Sequence, residues 1–166
     1  MHYTIKAIPT TYAGVNFRSR LEARWAAFFD LCGWKWDYEP FDLDGWAPDF
    51  LLRAELCDLL VEVKPVDMSN AGLALPDGPF AKAVRHWKAH QILLLGLCPS
   101  THDYLGAGYI MDPPQGATHS WADVFLALSA IDLTDKWREA GNLVQWKSDN
   151  DDFDIQMRRI FRRRAA

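Results

Sequence analysis

Residues 49–53 and 58–64 are two β-like runs only four residues apart, and no other feature limits the fold of this chain so tightly. Loops of that length commonly close antiparallel hairpins, so the two runs should pair about residues 54–57. In Leu60-Val-Glu62-Val-Lys64, side chains two apart share one face of a strand. The valines then point one way, and Glu62 and Lys64 point the other. Symmetric pairing about the loop sets Asp49 opposite Glu62, with roughly 5 Å between Cβ atoms. A slip of one residue would turn Asp49 to the opposite face.

Two ionised carboxylates that close repel each other, and a divalent cation is the usual relief. An all-oxygen site suits Mg²⁺, with Mn²⁺ as a substitute, better than Zn²⁺. Such an ion would polarise a phosphoryl oxygen and lower the pKa of water, while Lys64 would orient that water or neutralise charge growing on the phosphate. Phosphodiester hydrolysis is the chemistry this group can perform.

Around the hairpin the chain reads as one α/β domain over residues 1–166, with a core of about 12–112 and a C-terminal extension of about 113–166. Residues 1–15 look irregular, with Pro9 and Gly14 as breakers. Leu21, Trp25, Phe28, Phe29 and Cys32 recur at helical spacing, which predicts a helix over 16–32 that Gly33 ends. Alternating aromatic and polar residues predict a strand over 34–38, which Pro40 stops. A loop follows over 66–79, then a helix over 80–90 and a buried strand over 91–97. The resulting order is αβββαβ, a mixed sheet flanked by helices. Weaker signals place a strand at 108–111, a helix at 120–130 capped by Ser120, a piece around 137–146, and a helix from Asp152 onward. No internal repeat is present.

Composition excludes more than it selects. Hydrophobic residues make up 49% of the 166 and aromatics 13%, with eight Trp, as in a folded chain with a core of its own. The longest apolar run is too short to cross a bilayer and no targeting signal is evident, so a cytoplasmic protein without a membrane partner is expected. Cys32, Cys57 and Cys98 are odd in number and sit among apolar residues, which suits buried reduced thiols. Net charge is −4 although five arginines crowd residues 158–164, so charge alone does not mark a nucleic-acid binder. That tail can contact nucleic acid, or pair with the acids at 149–154.

Other residues carry two readings. Ser19-Arg-Leu-Glu22 fits a capping box, so Glu22 can cap a helix or join the acidic site. Arg18 and Arg20 at the helix start can grip phosphate or stand as exposed charges near Glu22. Lys82, Arg85 and Lys88, at three-residue spacing, make a partial basic stripe suited to a nucleic-acid backbone or to solvent. His86 and His90 have metal-ligand spacing but no third ligand, and are read as structural or surface residues.

Pro48-Asp49 followed by Glu62-Val63-Lys64 resembles the PD-(D/E)XK motif of the restriction-endonuclease-like superfamily, whose core order is also αβββαβ. The stretch from Phe17-Arg-Ser-Arg-Leu-Glu22 to Lys64 is similar to phage endonuclease I type Holliday-junction resolvases and to transposon end-cleaving nuclease subunits. Pro65 stands where resolvase relatives commonly have glycine. The resemblance covers roughly residues 12–97. It implies a Mg²⁺-dependent endonuclease acting on DNA, branched DNA included, in a phage or mobile-element setting, with RNA still open as a substrate. It implies that Glu22, Asp49 and Glu62 bind or organise the metal, that the Val63 carbonyl is a further ligand, and that Lys64 is the catalytic lysine. Resolvases act as dimers to cut paired strands, so a homodimer is among the expected assemblies. The alternative is a nucleic-acid-binding or assembly module that keeps the fold without cutting.

Overall fold

The structure, a computed structural model, describes residues 7–53, 58–68, 77–99, 107–111 and 130–145. Among these the chain builds a mixed α/β fold of a five-stranded sheet, a separate two-stranded hairpin and three helices. In chain order they are β1 (Thr10–Tyr12), β2 (Val15–Phe17), α1 (Arg20–Leu31), β3 (Lys35–Tyr38), β4 (Phe50–Arg53) and β5 (Asp58–Val63). Then follow α2 (Ala81–Val84), β6 (Ile92–Leu95), β7 (Tyr109–Met111) and α3 (Ala130–Leu143). The order α1-β3-β4-β5-α2-β6 is the αβββαβ sequence expected.

The large sheet runs β3-β4-β5-β6-β7. β3, β4 and β5 are antiparallel neighbours, β6 lies parallel to β5, and β7 is antiparallel to β6. The parallel step needs a crossover, and α2 lies within it. In the central hairpin Phe50 faces Val61, Leu51 faces Leu60, Leu52 faces Leu59 and Arg53 faces Asp58. This is the register expected from symmetric pairing. All four residues of β6 are buried, as the continuous apolar run required of a strand covered on both faces.

Strand alternation sorts the side chains into two cores. Phe50, Leu52, Leu59, Val61, Val63, Leu93 and Leu95 face α1 and α3, meeting Trp25, Phe28, Phe29 and Trp137. Leu51, Leu60, Ile92 and Leu94 face the other way, onto Trp46, Phe80, Ala83 and Val84. Phe28 and Phe29, each fully buried, would cost about 3–5 kcal/mol if cut back to alanine. The Trp25 indole N–H donates to the Gly96 carbonyl at 3.0 Å, which ties α1 to the end of β6. Arg24 stacks 4.0 Å over the Trp137 ring and donates to its carbonyl, while Lys136 Nζ donates to the Leu31 carbonyl at 2.7 Å. A cation on those last carbonyls suits the negative end of α1.

Local signals set the ends of α1. Ser19 caps its start, with its hydroxyl accepting the Glu22 N–H at 3.2 Å. At the other end Gly33 has φ 73°, its N–H bonds Asp30 O, and the Trp34 N–H returns to Phe29 O. This is the paired Schellman pattern that glycine favours.

Four expectations are corrected. Residues 10–17 form the β1–β2 hairpin, turning through Ala13 and Gly14 at φ 49° and 78°, so the helix begins at Arg20 and not at 16. The segment 80–90 is helical only over Ala81–Val84, and beyond it single turns close through His86 to Ala83 and Ala89 to His86. Residues 137–143 belong to α3, which already starts at Ala130. Cys98 is exposed, while Cys32 is partly buried and its thiol is pushed up to about 12 by that burial. The helix expected at 120–130, apart from Ala130, the helix from Asp152, the arginine cluster and Cys57 lie outside the described residues. No helix among the described residues is long and apolar enough to cross a membrane.

Candidate metal and catalytic site

Register carries the two central carboxylates to one place. Glu62 shares the face of Leu60, away from Val61 and Val63. Asp49, one residue before β4, lines one cavity with Glu62, close enough for the two carboxylates to repel each other. Both are almost fully buried, at 4% and 5% exposure. Asp49 is a bend just before the ladder, and its N–H bonds the carbonyl oxygen of Val61, the residue that Phe50 faces, at 2.9 Å. Its Oδ2 accepts the Val63 N–H at 2.8 Å. The Val63 carbonyl leaves the strand on that same side, because N–H and C=O of one strand residue point to one edge. Lys64 pairs with Glu62 Oε1, as two residues on one strand face can.

Asp49, Glu62 and Lys64 line a cavity of about 630 Å³ with Trp46, Asp42 and Lys82. Trp46 reaches it through a tight reversal at Asp44-Gly45, where Gly45 has φ 72° and Leu43 bridges Trp46. Its indole N–H donates to Glu62 Oε2 at 2.7 Å, and its ring lies against His86. Glu62 therefore has a partner on each oxygen.

Arg18 holds the other carboxylate. Its Nη2 donates to Asp49 Oδ1 at 2.7 Å and its Nε pairs with Glu39 at 2.8 Å. Glu39 sits at φ 44°, a left-handed conformation that costs a non-glycine residue roughly 1–2 kcal/mol. Burial, and then the neighbouring charge of Glu62, push the Asp49 carboxyl up to about 7, against the lowering effects of the Val63 N–H and Lys64.

Glu22 meets this group through Arg18, whose Nε lies 4.0 Å from Glu22 Oε2. It projects from α1, on the opposite side of the sheet from Glu62, and reaches the end of β4 from there. Its Oε1 accepts the Ser19 hydroxyl at 2.8 Å and its Oε2 accepts the Tyr38 hydroxyl at 2.6 Å. Burial, together with Glu22, pushes the Tyr38 phenol up to about 12. Glu22, Arg20, Leu21 and Ile8 line a second cavity of about 510 Å³ that shares Arg18, Asp49 and Lys64 with the first.

Of the residues singled out from sequence, Asp49, Glu62, Val63 and Lys64 come together. Glu22 makes the capping contact and stands one side chain away. Among the described residues no three His, Cys, Asp or Glu side chains form a metal-holding group, so the expected three-carboxylate ligand set is not assembled. Arg18 is turned onto Asp49 and Glu39, whereas Arg20 is exposed at the second cavity. Lys82 lines the first cavity, and Arg85 is exposed outside both lining sets. His86 is structural, its ring nitrogen 3.1 Å from Asp44 O. Sequence reasoning missed Trp46, Tyr38, Glu39 and the inward role of Arg18. Only the Asp44-Gly45 turn signal beside Trp46 pointed to any of them.

The donor chemistry fits a hard divalent cation. Asp49 Oδ1 and Glu62 Oε1 are carboxyl oxygens that already hold cationic groups, and the Val63 carbonyl points to the same edge. Mg²⁺ commonly takes only one or two carboxylates, filling its shell with water and substrate phosphate.

Compared with protein families, with curated proteins and with solved structures, the chain has no match.

Proposed function

We propose that this chain is a metal-dependent nuclease of the restriction-endonuclease-like class that hydrolyses phosphodiester bonds of DNA. The observation that carries the reading is the burial of Asp49 and Glu62 close together beside Lys64, at the wall of an open cavity. Burying two adjacent carboxylates is expensive even when each is paired with a cation, and sites that tolerate such a cost usually exploit it. The αβββαβ order and the resemblance of Pro48-Asp49 and Glu62-Val63-Lys64 to the PD-(D/E)XK motif support the same conclusion.

Asp49, Glu62 and the Val63 carbonyl would hold the ion. Bound there, Mg²⁺ or Mn²⁺ supplies Lewis acidity toward a phosphoryl oxygen. Lys64 places its ammonium where a phosphate entering the cavity would gain negative charge, and stabilises that charge in a partly buried setting. Trp46 fixes the Glu62 carboxylate through Oε2 and leaves Oε1 facing Lys64. Glu22 positions the end of α1 and Tyr38, and through them Arg18, whose N–H donates to the Tyr38 hydroxyl at 3.1 Å. Lys82 and Arg20, one on each cavity, are the cations best placed to meet the nucleic-acid backbone.

A second reading is favoured by one observation: Arg18 and Lys64 already neutralise Asp49 and Glu62, as they would in a binding module that does not cut. The test incubates the protein with supercoiled, linear, single-stranded and four-way-junction DNA, and with RNA, in Mg²⁺, Mn²⁺ or EDTA. Cleavage that needs the metal, and that Lys64→Ala lowers at least a hundredfold, is the expected result, in the range for losing a general acid–base or electrostatic group. Binding without cleavage on every substrate would establish the module instead.

A further inference from the structure

Both oxygens of Asp49 already hold a partner, and the approach to Oδ1 is occupied by a cation. Oδ2 is held by the Val63 N–H, which β5 fixes in place. Oδ1 is held by Arg18, whose side chain is 58% exposed while that of Asp49 is 5% exposed. The guanidinium thus covers the buried carboxylate from its open side. It is also a wall of both cavities, and it has a second anchor in Glu39 to steady it when it lets go.

We infer that Arg18 is a displaceable counter-ion, which holds Asp49 until a nucleic-acid phosphate draws it away and frees Oδ1 for the cation. The inference rests on the reading of Asp49 as a metal ligand. A phosphodiester carries one negative charge, as the carboxylate does, and offers two oxygens to the guanidinium fork. Exchange of one partner for the other therefore conserves charge at Arg18. Cation and nucleic acid then bind with positive coupling, and the coupling is the same whichever is added first. Arg18 acts here as a positioning residue, governing when the ligand oxygen becomes available.

Terbium luminescence excited through Trp46, whose indole is bonded to Glu62, reads ion binding without turnover. Wild type, Arg18→Gln, Arg18→Lys and Asp49→Asn proteins are titrated with Tb³⁺, their folding checked by circular dichroism. Arg18→Gln should bind about tenfold more tightly than wild type, the effect of removing one part-exposed competing ion pair. Arg18→Lys, which keeps the charge but loses the fork, should fall between them. In parallel, Ca²⁺ should tighten binding of a labelled single-stranded oligonucleotide by wild type more than by Arg18→Gln. Equal or weaker Tb³⁺ affinity in Arg18→Gln, with Asp49→Asn still much weaker than wild type, would overturn the counter-ion role and leave the metal site standing. Tb³⁺ binding that Asp49→Asn does not change would overturn the metal-site reading itself.

Discussion

Replacing Asp49 by asparagine should stabilise the metal-free protein at alkaline pH, although it removes an ion pair. The Asp49 carboxyl is displaced from 3.8 to about 7 by burial first and by Glu62 second. A group whose folded pKa is raised binds more protons in the native state than in the unfolded one, so stability falls as pH climbs from about 4 to 7 and is flat beyond. Each tenfold change in proton affinity is worth about 1.4 kcal/mol, which makes the full displacement worth roughly 4 kcal/mol. Asparagine is neutral and nearly isosteric, and its carbonyl can still accept the Val63 N–H. Loss of the Arg18 contact offsets only part of the gain, because that guanidinium is well exposed and keeps Glu39. Urea unfolding in EDTA at pH 5 and pH 8 reads the effect as the difference between variant and wild type. That difference should shift in favour of asparagine by about 2–4 kcal/mol between the two pH values. A difference independent of pH would refute the reasoning, since ionisation of Asp49 would then cost the fold nothing.

Other substitutions probe the remaining contacts. Trp46→Phe keeps an aromatic ring beside His86 but strips Glu62 Oε2 of its donor, and thermal unfolding should show a loss of about 1–3 kcal/mol. Glu22→Gln keeps one carbonyl acceptor and turns its amide N–H toward the other hydroxyl, which can itself accept, so urea unfolding should change by about 1 kcal/mol. If the nuclease reading holds, that variant should keep most of its metal-dependent cleavage, and complete loss would return Glu22 to the ligand set. Gly96→Ala would drive a Cβ into the Val66 carbonyl oxygen and the Met68 side chain. The segment after Lys64 must move to admit it, at a cost of about 1–3 kcal/mol in a calorimetric scan.

How far the sequence could be read depended on the range of the interactions involved. A period of two and a short loop are local, and together they set the β4–β5 register down to the residue from Phe50–Val61 to Arg53–Asp58. The helix stop at Gly33 was equally local. By contrast, β1 and β2 are three residues each and turn through Ala13-Gly14, which lacks the asparagine or aspartate that usually marks such turns. The run after Ala81 has helical spacing, yet only one turn of helix is kept, where Ala83 and Val84 pack on the sheet. Arg18, Tyr38, Glu39 and Trp46 meet the site across separations that no periodicity encodes. Glu22 was assigned to the correct neighbourhood, where it bonds Ser19 and Tyr38 and lies 4.0 Å from Arg18 Nε.

The most direct test of the central claim is an anomalous-scattering map from crystals of the protein soaked in Mn²⁺. The account predicts one ion about 2.0–2.2 Å from carboxylate oxygens of both Asp49 and Glu62, with the Val63 carbonyl beside it and the Arg18 guanidinium moved off Asp49. A map with no ion between those two carboxylates, and with Arg18 still bonded to Asp49 at saturating Mn²⁺, would contradict it.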